Sequence, residues 1–196
     1  MKDDERQEVE VKLHTPDLSK IRDALEAAGA TLTKPRVFER NLRYDSADGS
    51  LKTAGVVLRL RQDEAAKLTY KADSSVESGI VSRFEAEVEV SDFETMDVIL
   101  RRLGYKVALI YEKYRTTYEL DGAEIVLDEL PYGNFTEIEG DAATIERVVE
   151  RLGLGGCRRM PGSYVDIFAD VKARLGLDVR DCTFEAFEDV EVVELF

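Results

Sequence analysis

The stretch Glu8-Val9-Glu10-Val11-Lys12 alternates strictly between charged and apolar residues. Successive side chains of a β-strand point to opposite faces, so this order places two carboxylates and an ammonium on one face and two valines on the other. Residues two apart on a strand lie roughly 6.5–7 Å apart, so two carboxylates can reach one divalent cation while the lysine binds the anion that the cation also holds. The alternative is an edge strand with a solvated charged face.

The same alternation recurs along the 196 residues and predicts a mostly antiparallel β protein. Turn signals such as Asp48-Gly49 and Asp121-Gly122 separate the strand-like segments. A weak strand–helix–strand repeat, with a glycine after each helix, suggests a sheet closed on itself. The strand-like segments lie near 7–14, 37–45, 56–62, 66–72, 82–90, 112–120, 123–129 and 135–139.

Amphipathic helices are predicted between these strands. One follows Thr15-Pro16, and a second follows a capping box at Ser91-Asp92-Phe93-Glu94. A third follows Asp141, and a fourth begins at Ser163 and runs to about residue 175. We therefore expect one domain over residues 1–175 and an acidic C-terminal extension over residues 176–196.

The charged residues of the predicted strands share one parity, and mostly apolar residues share the other. The apolar face must pack against helices, so the charged face is either open to solvent or lines a barrel. Like charges about 4 Å apart repel by roughly 1 kcal/mol in water and about 4 kcal/mol at an effective dielectric of 20. A metal-bound oligophosphate would neutralise the basic and the acidic residues together. The charged set is Glu8, Glu10, Lys12, Arg59, Arg61, Lys67, Lys71, Arg83, Glu85, Glu87, Glu89, Lys113, Arg115, Asp128, Glu137 and Glu139.

Composition excludes several other classes of protein. The formal net charge of -14 argues against binding to nucleic acid or to an anionic membrane, which both require a cationic surface. Two cysteines, Cys157 and Cys182, indicate neither a disulfide framework nor a zinc site. The charged start from Lys2 to Arg6 and the absence of a run of roughly 18 apolar residues lead us to expect a cytoplasmic protein, as a monomer or homodimer.

Eight short motifs occur in an order that resembles the CYTH, or triphosphate tunnel metalloenzyme, family. That family includes class IV adenylyl cyclases, thiamine triphosphatases and tripolyphosphatases. The resemblance covers residues 7 to about 170, and it implies an α+β fold in which a closed eight-stranded antiparallel β-barrel with a charged interior is flanked by helices. The motifs are Glu8-x-Glu10-x-Lys12, Tyr44-Asp45, Leu58-Arg59-Leu60-Arg61, Thr69-Tyr70-Lys71, Glu112-Lys113-Tyr114-Arg115, Val126-Leu127-Asp128, Thr136-Glu137-Ile138-Glu139 and Ser163-Tyr164.

The resemblance also implies roles for individual residues. Asp128 would help to orient the site, and the cofactor would be Mg²⁺ or Mn²⁺. The predicted metal ligands are Glu8, Glu10, Glu137 and Glu139. The predicted phosphate-binding residues are Lys12, Arg59, Arg61, Lys71, Lys113 and Arg115. The predicted catalytic residues are Glu8, Glu10, Lys12, Lys71 and Asp128.

Two positions depart from the family pattern. Cyclases that make cyclic AMP resemble one another in a His-Phe pair shortly before the first glutamate, and here Lys2-Asp3 occupies the corresponding positions. A basic residue commonly precedes the Ser-Tyr pair, and here Gly162 occupies that position. Either one phosphate contact is missing at that position, or Arg158 or Arg159 supplies it. The first departure favours a metal-dependent triphosphatase over an adenylyl cyclase. A polyphosphate-binding module without activity is a third hypothesis, although all four metal-binding glutamates are present.

Two further assignments stay open on the sequence alone. Glu85 and Glu87 would either extend the metal site or pair with Arg83. His14 shares the parity of Lys12, and we read it as a surface residue rather than as a proton shuttle.

Overall fold

A computed structural model of the protein describes residues 7–192 and 195–196. The prediction drawn from Lys2-Asp3 lies outside these residues. The strands are β1 Gln7–His14, β2 Thr31–Asp45, β3 Val57–Gln62, β4 Ala66–Glu77, β5 Ile80–Val90, β6 Lys106–Leu120, β7 Ala123–Leu130 and β8 Gly133–Glu139. The helices are α1 Leu18–Ala27, α2 Ser50–Thr53, α3 Phe93–Arg102, α4 Ala142–Arg151 and α5 Tyr164–Leu175, with a 3₁₀ turn at Glu185–Phe187.

The eight strands close into a barrel in the order β1-β5-β4-β3-β2-β6-β7-β8. Every neighbouring pair is antiparallel. Strands β1, β2, β4 and β7 therefore begin at one mouth of the barrel, and the other four begin at the opposite mouth. This architecture confirms the predicted closed antiparallel barrel with flanking helices.

Strands β2 and β6 are both longer than predicted, since each spans 15 residues. The early part of β2 escaped prediction because its alternation is broken by Pro35 and by register shifts between Leu32 and Val37. Proline donates no ladder hydrogen bond and is therefore tolerated at such irregular positions. Both long strands extend the wall of the barrel beyond the predicted segments.

Two helix caps decide where the connecting helices begin. The predicted capping box that starts with Ser91 is wrong by one residue, because Asp92 is the N-cap and accepts a hydrogen bond from Thr95 N at 2.7 Å. The cap at Ser163 is confirmed as a capping box with Asp166. A side-chain cap of this kind contributes about 1 kcal/mol. The second cap fixes the start of α5, which reaches the mouth where β1 ends.

The apolar faces of the strands point outward, and helices cover much but not all of this surface, since Tyr70 on β4 and Val88 on β5 are exposed. Helices α1 and α4 pack on β1, β7 and β8, where Val11, Ile125, Ile138 and Ile145 are fully buried. Helix α3 covers β2 and β3, and α5 packs beside β6 and β7. Each fully buried aliphatic side chain contributes about 1.5–3 kcal/mol. None of the helices among the described residues has the length and apolar character needed to cross a bilayer.

The described part of the expected extension, residues 176–192 and 195–196, packs on the barrel. Strand β7 pairs with β6 only from Tyr114 onward, which leaves the first half of β6 with an open edge. Cys182 occupies that edge, because its N–H donates to Ile110 O at 2.8 Å and its carbonyl accepts from Glu112 N at 2.9 Å. Phe187 is buried in the same apolar cluster as α5. The extension therefore completes the outer layer around this side of the barrel.

Candidate functional site

The inward faces of the strands enclose a main cavity of about 520 Å³. Asp128 lies behind its lining, and its side chain is 0% exposed. The cavity is lined by all six predicted phosphate-binding residues and by all four predicted metal ligands, namely Lys12, Arg59, Arg61, Lys71, Lys113, Arg115, Glu8, Glu10, Glu137 and Glu139. The alternation in the sequence therefore identified side chains that the fold brings together in one place.

The two mouths of the barrel carry different charges. The glutamate mouth, where β1 begins, is marked by Glu124 and Glu139, which face each other across β7 and β8. The arginine mouth, where β1 ends, is marked by Arg43 and Arg83, and Ser163 at the start of α5 lies beside them. The cavity is thus polarised along the axis of the barrel.

Three of the four predicted metal ligands are ion-paired with basic residues of the cavity. Arg83 bonds Glu8 at 2.7 Å and Glu10 at 2.8 Å. Lys12 Nζ lies 3.1 Å from Glu137 Oε1. Burial raises the pKa of the Glu8 carboxyl, but the nearby Lys71 and Arg83 outweigh it and lower that pKa to about 2. Glu8 is therefore ionised, and all three carboxylates are matched by positive charge.

Glu139 differs from the other three, because it makes no hydrogen bond or ion pair with any described residue. It lies directly opposite Glu10 in the strand register, on the exposed rim of the glutamate mouth. Partial burial and repulsion from neighbouring carboxylates, most strongly Glu8 and Glu124, raise the pKa of Glu139 to about 7. A cation at this mouth would relieve that repulsion.

The donor chemistry of these four glutamates fits a hard divalent cation, since Mg²⁺ and Mn²⁺ prefer carboxylate oxygens. The structural observation that supports this fit is the Glu139 carboxyl, which has no basic partner among the described residues and whose pKa is raised by its acidic neighbours. Within the described part of the chain, no three His, Cys, Asp or Glu side chains are close enough to hold a metal ion as they stand. The ion pairs of Glu8, Glu10 and Glu137 would have to open for all four to share one ion.

A buried network, which consists of Glu39, Lys113, Arg115 and Asp128, braces the opposite wall. Lys113 donates to Asp128 at 2.9 Å, and Arg115 donates to the same carboxylate with two hydrogen bonds of 2.7 and 2.5 Å. Tyr164 of α5 adds a fourth donor at 2.8 Å. Glu39 lies 3.5 Å from Lys113, and its pKa is lowered to about 2 because Lys113 and Arg115 outweigh the effect of burial. The network holds two predicted phosphate-binding residues in place.

The contacts of Glu85 and Glu87 bear on one of the two alternatives left open for them. Glu85 pairs with Lys71 at 2.8 Å, and Glu87 accepts from Lys67 and Thr69, each at 2.9 Å. Neither is paired with Arg83, which speaks against that alternative, while an extension of the metal site stays a prediction. Both acids instead support the row of basic residues on β3 and β4.

Neither Arg158 nor Arg159 lines the main cavity, so neither replaces the basic residue absent at Gly162. Arg159 instead binds Glu146 of α4 at 2.7 Å. His14 is half-buried, makes tilted ring contacts with Phe135 and Phe196, and does not line the main cavity, which argues against a proton shuttle.

The lining or supporting residues missed from the sequence include Glu39, Arg43, Tyr111 and Glu124. Glu39 and Arg43 share a face of β2, and their alternation was the available signal. That signal was masked because Arg40, on the opposite face, is also charged. Tyr111 accepts a hydrogen bond from Arg59 at 3.3 Å, and its aromatic side chain gave no indication of an inward orientation.

Comparison with known proteins agrees with this geometry. Residues 6–152 match the family model of the CYTH domain. A protein of Methanocaldococcus jannaschii, provisionally named an adenylate cyclase, is 27% identical over 150 residues, which cover 74% of this chain and 85% of the relative.

Solved structures share the fold. A Vibrio parahaemolyticus protein, provisionally named an adenylate cyclase, has a TM-score of 0.69 at 21% identity and covers 84% of this chain and 98% of its own. A Pyrococcus horikoshii protein has a TM-score of 0.68 at 25% identity, with 81% and 98% covered. A Hippeastrum protein, provisionally named an adenylyl cyclase and described as having a dominant triphosphatase activity, has a TM-score of 0.63 at 20% identity, with 83% and 95% covered.

Proposed function

Because the chain belongs to the CYTH family, we propose that it is a divalent-metal-dependent phosphohydrolase acting on inorganic triphosphate or on nucleoside and other organic triphosphates. The observation that carries this proposal is the main cavity, where nine basic and seven acidic side chains surround about 520 Å³. A cation and a polyanion bound together can take up both sets of charges, which neither ligand does alone.

The basic residues would bind the oxygens of the phosphate chain. Arg59 and Arg61 project from neighbouring inward positions of β3, and Arg115 projects from β6. The planar guanidinium fork suits bidentate contacts with phosphate. Lys12 adds a point charge, with its Nζ 4.5 Å from the centre of the Tyr164 ring. A chain of phosphates would therefore be held at several points, which fixes its direction.

Glu8, Glu10, Glu137 and Glu139 would hold Mg²⁺ or Mn²⁺. When bound, this ion would neutralise charge on the phosphate chain and on the departing pyrophosphate or ADP. Asp128 is a positioning residue, because all its contacts are with Lys113, Arg115 and Tyr164. Its role is to keep two cations aimed into the cavity.

Hydrolysis requires little covalent chemistry from the protein, because phosphoryl transfer depends mainly on positioning and charge stabilisation. The oxygen of water bonds to the terminal phosphorus, and the bond from that phosphorus to the bridging oxygen breaks. Inorganic triphosphate then yields orthophosphate and pyrophosphate, and ATP yields orthophosphate and ADP. Lys12 and Lys71 would stabilise charge on the departing group.

The alternative function is a class IV adenylyl cyclase, which the name given to the Methanocaldococcus jannaschii relative favours. In that reaction the ribose 3′-hydroxyl attacks the α-phosphorus of ATP and pyrophosphate leaves. Hydrolysis is preferred here because the aliphatic side chains lining the main cavity are few: Val57, Val126 and Val165 among the described residues. Apart from the rings of Tyr111 and Tyr164, which already contact Arg59 and Lys12, a nucleobase would find little apolar surface there.

The deciding experiment compares ATP and tripolyphosphate as substrates, in Mg²⁺ and in Mn²⁺, with chromatographic separation of the products. We expect orthophosphate from tripolyphosphate at a rate at least equal to that from ATP, with little cyclic AMP. Protein in excess EDTA serves as the control for metal dependence. Cyclic AMP as the main product, formed faster than orthophosphate from tripolyphosphate, would establish the cyclase instead.

A further inference from the structure

Arg43 lies on the inward face of β2, directly opposite Arg59 of β3 in the strand register. Like charges at directly opposed positions repel, because their Cβ atoms are about 4.5–5.5 Å apart. Arg59 is compensated by hydrogen bonds to Thr69 at 3.2 Å and to Tyr111 at 3.3 Å. Arg43 makes no hydrogen bond or ion pair with any described residue, and its buried Nε has no acceptor.

Arg43 also lies at the boundary between two cavities. A second cavity of about 330 Å³ opens at the arginine mouth and shares Arg43, Lys71 and Arg83 with the main cavity. Lys71 and Arg83 each lie 2.7 Å from Glu8, so their charges are matched within the barrel. Of these three shared cations, Arg43 alone has an unmatched charge.

Two carboxylates line the second cavity, and neither forms an ion pair with Arg43. Asp45 accepts from Ser46 N at 2.8 Å and from Leu51 N at 3.0 Å. Asp166 accepts from Ser163 N at 2.9 Å, within the cap of α5, and its charge offsets only part of the repulsion that acts on Arg43. Arg43 therefore lacks a contacting carboxylate among the described residues.

Two further observations, on Lys52 and on the pKa of Arg43, also favour a bound anion in the second cavity. Lys52 is exposed on the rim of the second cavity and forms no ion pair with the described residues. Burial and the neighbouring charges of Arg59 and Arg83 hold the pKa of Arg43 below its ordinary value. An anion bound beside Arg43 would offset the cost of burying its positive charge next to Arg59 and Arg83.

We infer that the second cavity is an anion subsite, in which Arg43 binds the end phosphate of a linear inorganic oligophosphate that extends beyond the main cavity. This inference rests on the proposed function in one respect, since the cations of the main cavity are taken to hold the first three phosphates. A chain of four phosphates then reaches Arg43 through the boundary shared by the two cavities. A charge-assisted hydrogen bond at this point is stronger than a neutral one.

The test measures binding, not turnover, by titration calorimetry with tripolyphosphate and tetrapolyphosphate in EDTA. The wild-type protein should bind tetrapolyphosphate more tightly than tripolyphosphate. Arg43→Met should lose about tenfold in affinity for tetrapolyphosphate, which is the effect of one hydrogen bond to a charged group. Its affinity for tripolyphosphate should fall by less than its affinity for tetrapolyphosphate, because the other cations of the main cavity hold the first three phosphates. Arg40→Met is the matched control, because Arg40 is exposed on the opposite face of the same strand.

Three results would overturn the subsite. They are equal binding of tetrapolyphosphate by wild type and Arg43→Met, an equal loss for both ligands in Arg43→Met, and no binding of either ligand by wild type. Failure of the proposed hydrolysis is distinguishable, because it appears as absent turnover with metal while the chain-length effect of Arg43 persists. Thermal unfolding should show Arg43→Met to be at least as stable as wild type, because the variant removes an unmatched charge.

Discussion

Two sets of charged side chains in the same barrel differ in how completely their charges are matched. In the buried network, Asp128 is 0% exposed and hydrogen-bonds to Lys113, which is 1% exposed, while Glu39 is held by longer ion pairs of 3.5 Å to Lys113 and 3.9 Å to Arg115. Glu139 and Arg43 stand at opposite mouths and contact no opposite charge among the described residues. The matched set stabilises the wall of the barrel, and the two unmatched side chains mark where a bound ligand must supply the opposite charge.

This difference follows from the cost of burying ions. A buried ion pair is tolerated only with good geometry and additional hydrogen bonds, and removal of one partner leaves an uncompensated charge. Asp128 satisfies these conditions with four donated hydrogen bonds from three residues. An unmatched group near a mouth remains close enough to water to be tolerated. The comparison therefore predicts opposite consequences for stability and for function.

The largest expected effect comes from breaking the matched set. Asp128→Ala should destabilise the protein by about 3–5 kcal/mol, because Lys113 and Arg115 would stay buried without their shared carboxylate. For a chain of this size, 1 kcal/mol corresponds to about 2–4 °C in Tm, so thermal or urea unfolding resolves the change readily. Asp170→Ala is the control, since Asp170 is exposed on α5 and should change stability by less than about 0.5 kcal/mol.

The Asp128 prediction has a clear opposite. A loss of less than about 1 kcal/mol in Asp128→Ala would mean that the network contributes little net stability, as some buried ion pairs do. Asp128→Asn keeps the shape of the side chain and should lie between the other two proteins, which separates the loss of charge from the loss of volume.

The next effect concerns the unmatched set and should leave stability alone. Glu139→Ala should lower metal-dependent turnover of tripolyphosphate by more than about 100-fold, because loss of groups that merely support metal ligands already costs 10–100-fold. Glu10→Ala should lower turnover in the same way, but Glu10 belongs to the matched set, so this variant should also lose some stability although Arg83 keeps its contact with Glu8. Unfolding of Glu139→Ala should show no loss of stability relative to wild type, since no contact is lost.

The control for turnover is Glu150→Ala, an exposed position on α4. Near-wild-type rates in both Glu10→Ala and Glu139→Ala would remove the metal assignment. A fall in turnover of Glu139→Ala that tracked a fall in stability would contradict the division between matched and unmatched charges.

Much of this site was visible in the sequence, because a strand with one buried face must alternate. Glu8, Glu10 and Lys12 are read directly from their spacing, and Arg59 and Arg61 repeat that spacing on β3. The same rule predicted that helices cover the opposite face. The charge on the inward face then needed an enclosing barrel, which the resemblance to the CYTH family supplied.

The choice of partners was beyond the sequence, because it depends on strand register and barrel closure. Arg83 contacts Glu8 and Glu10 because β5 pairs with β1, a neighbour that is distant in the chain. Arg43 was hidden for a different reason, since β2 carries charges on both faces and its start is irregular around Pro35. The alternation of polar and apolar residues cannot identify the inward face of a strand when both of its faces are polar.

The smallest expected effect is a pH dependence of stability in the metal-free protein. The pKa of Glu139 is raised from 4.5 to about 7, by partial burial and by neighbouring carboxylates. Between these two values the folded state binds the proton more tightly than the unfolded state, so the contribution of Glu139 to stability falls as pH rises through about 7. The glutamine in Glu139→Gln cannot ionise. The Tm of this variant should therefore rise relative to the wild-type Tm as pH increases from 5 to 8. The gain should not exceed about 2–4 °C, because solvent screens this exposed position. Measurements in EDTA with Glu150→Gln as the control would isolate the effect. A constant Tm difference across this pH range would show that the acidic neighbours do not raise the pKa of Glu139.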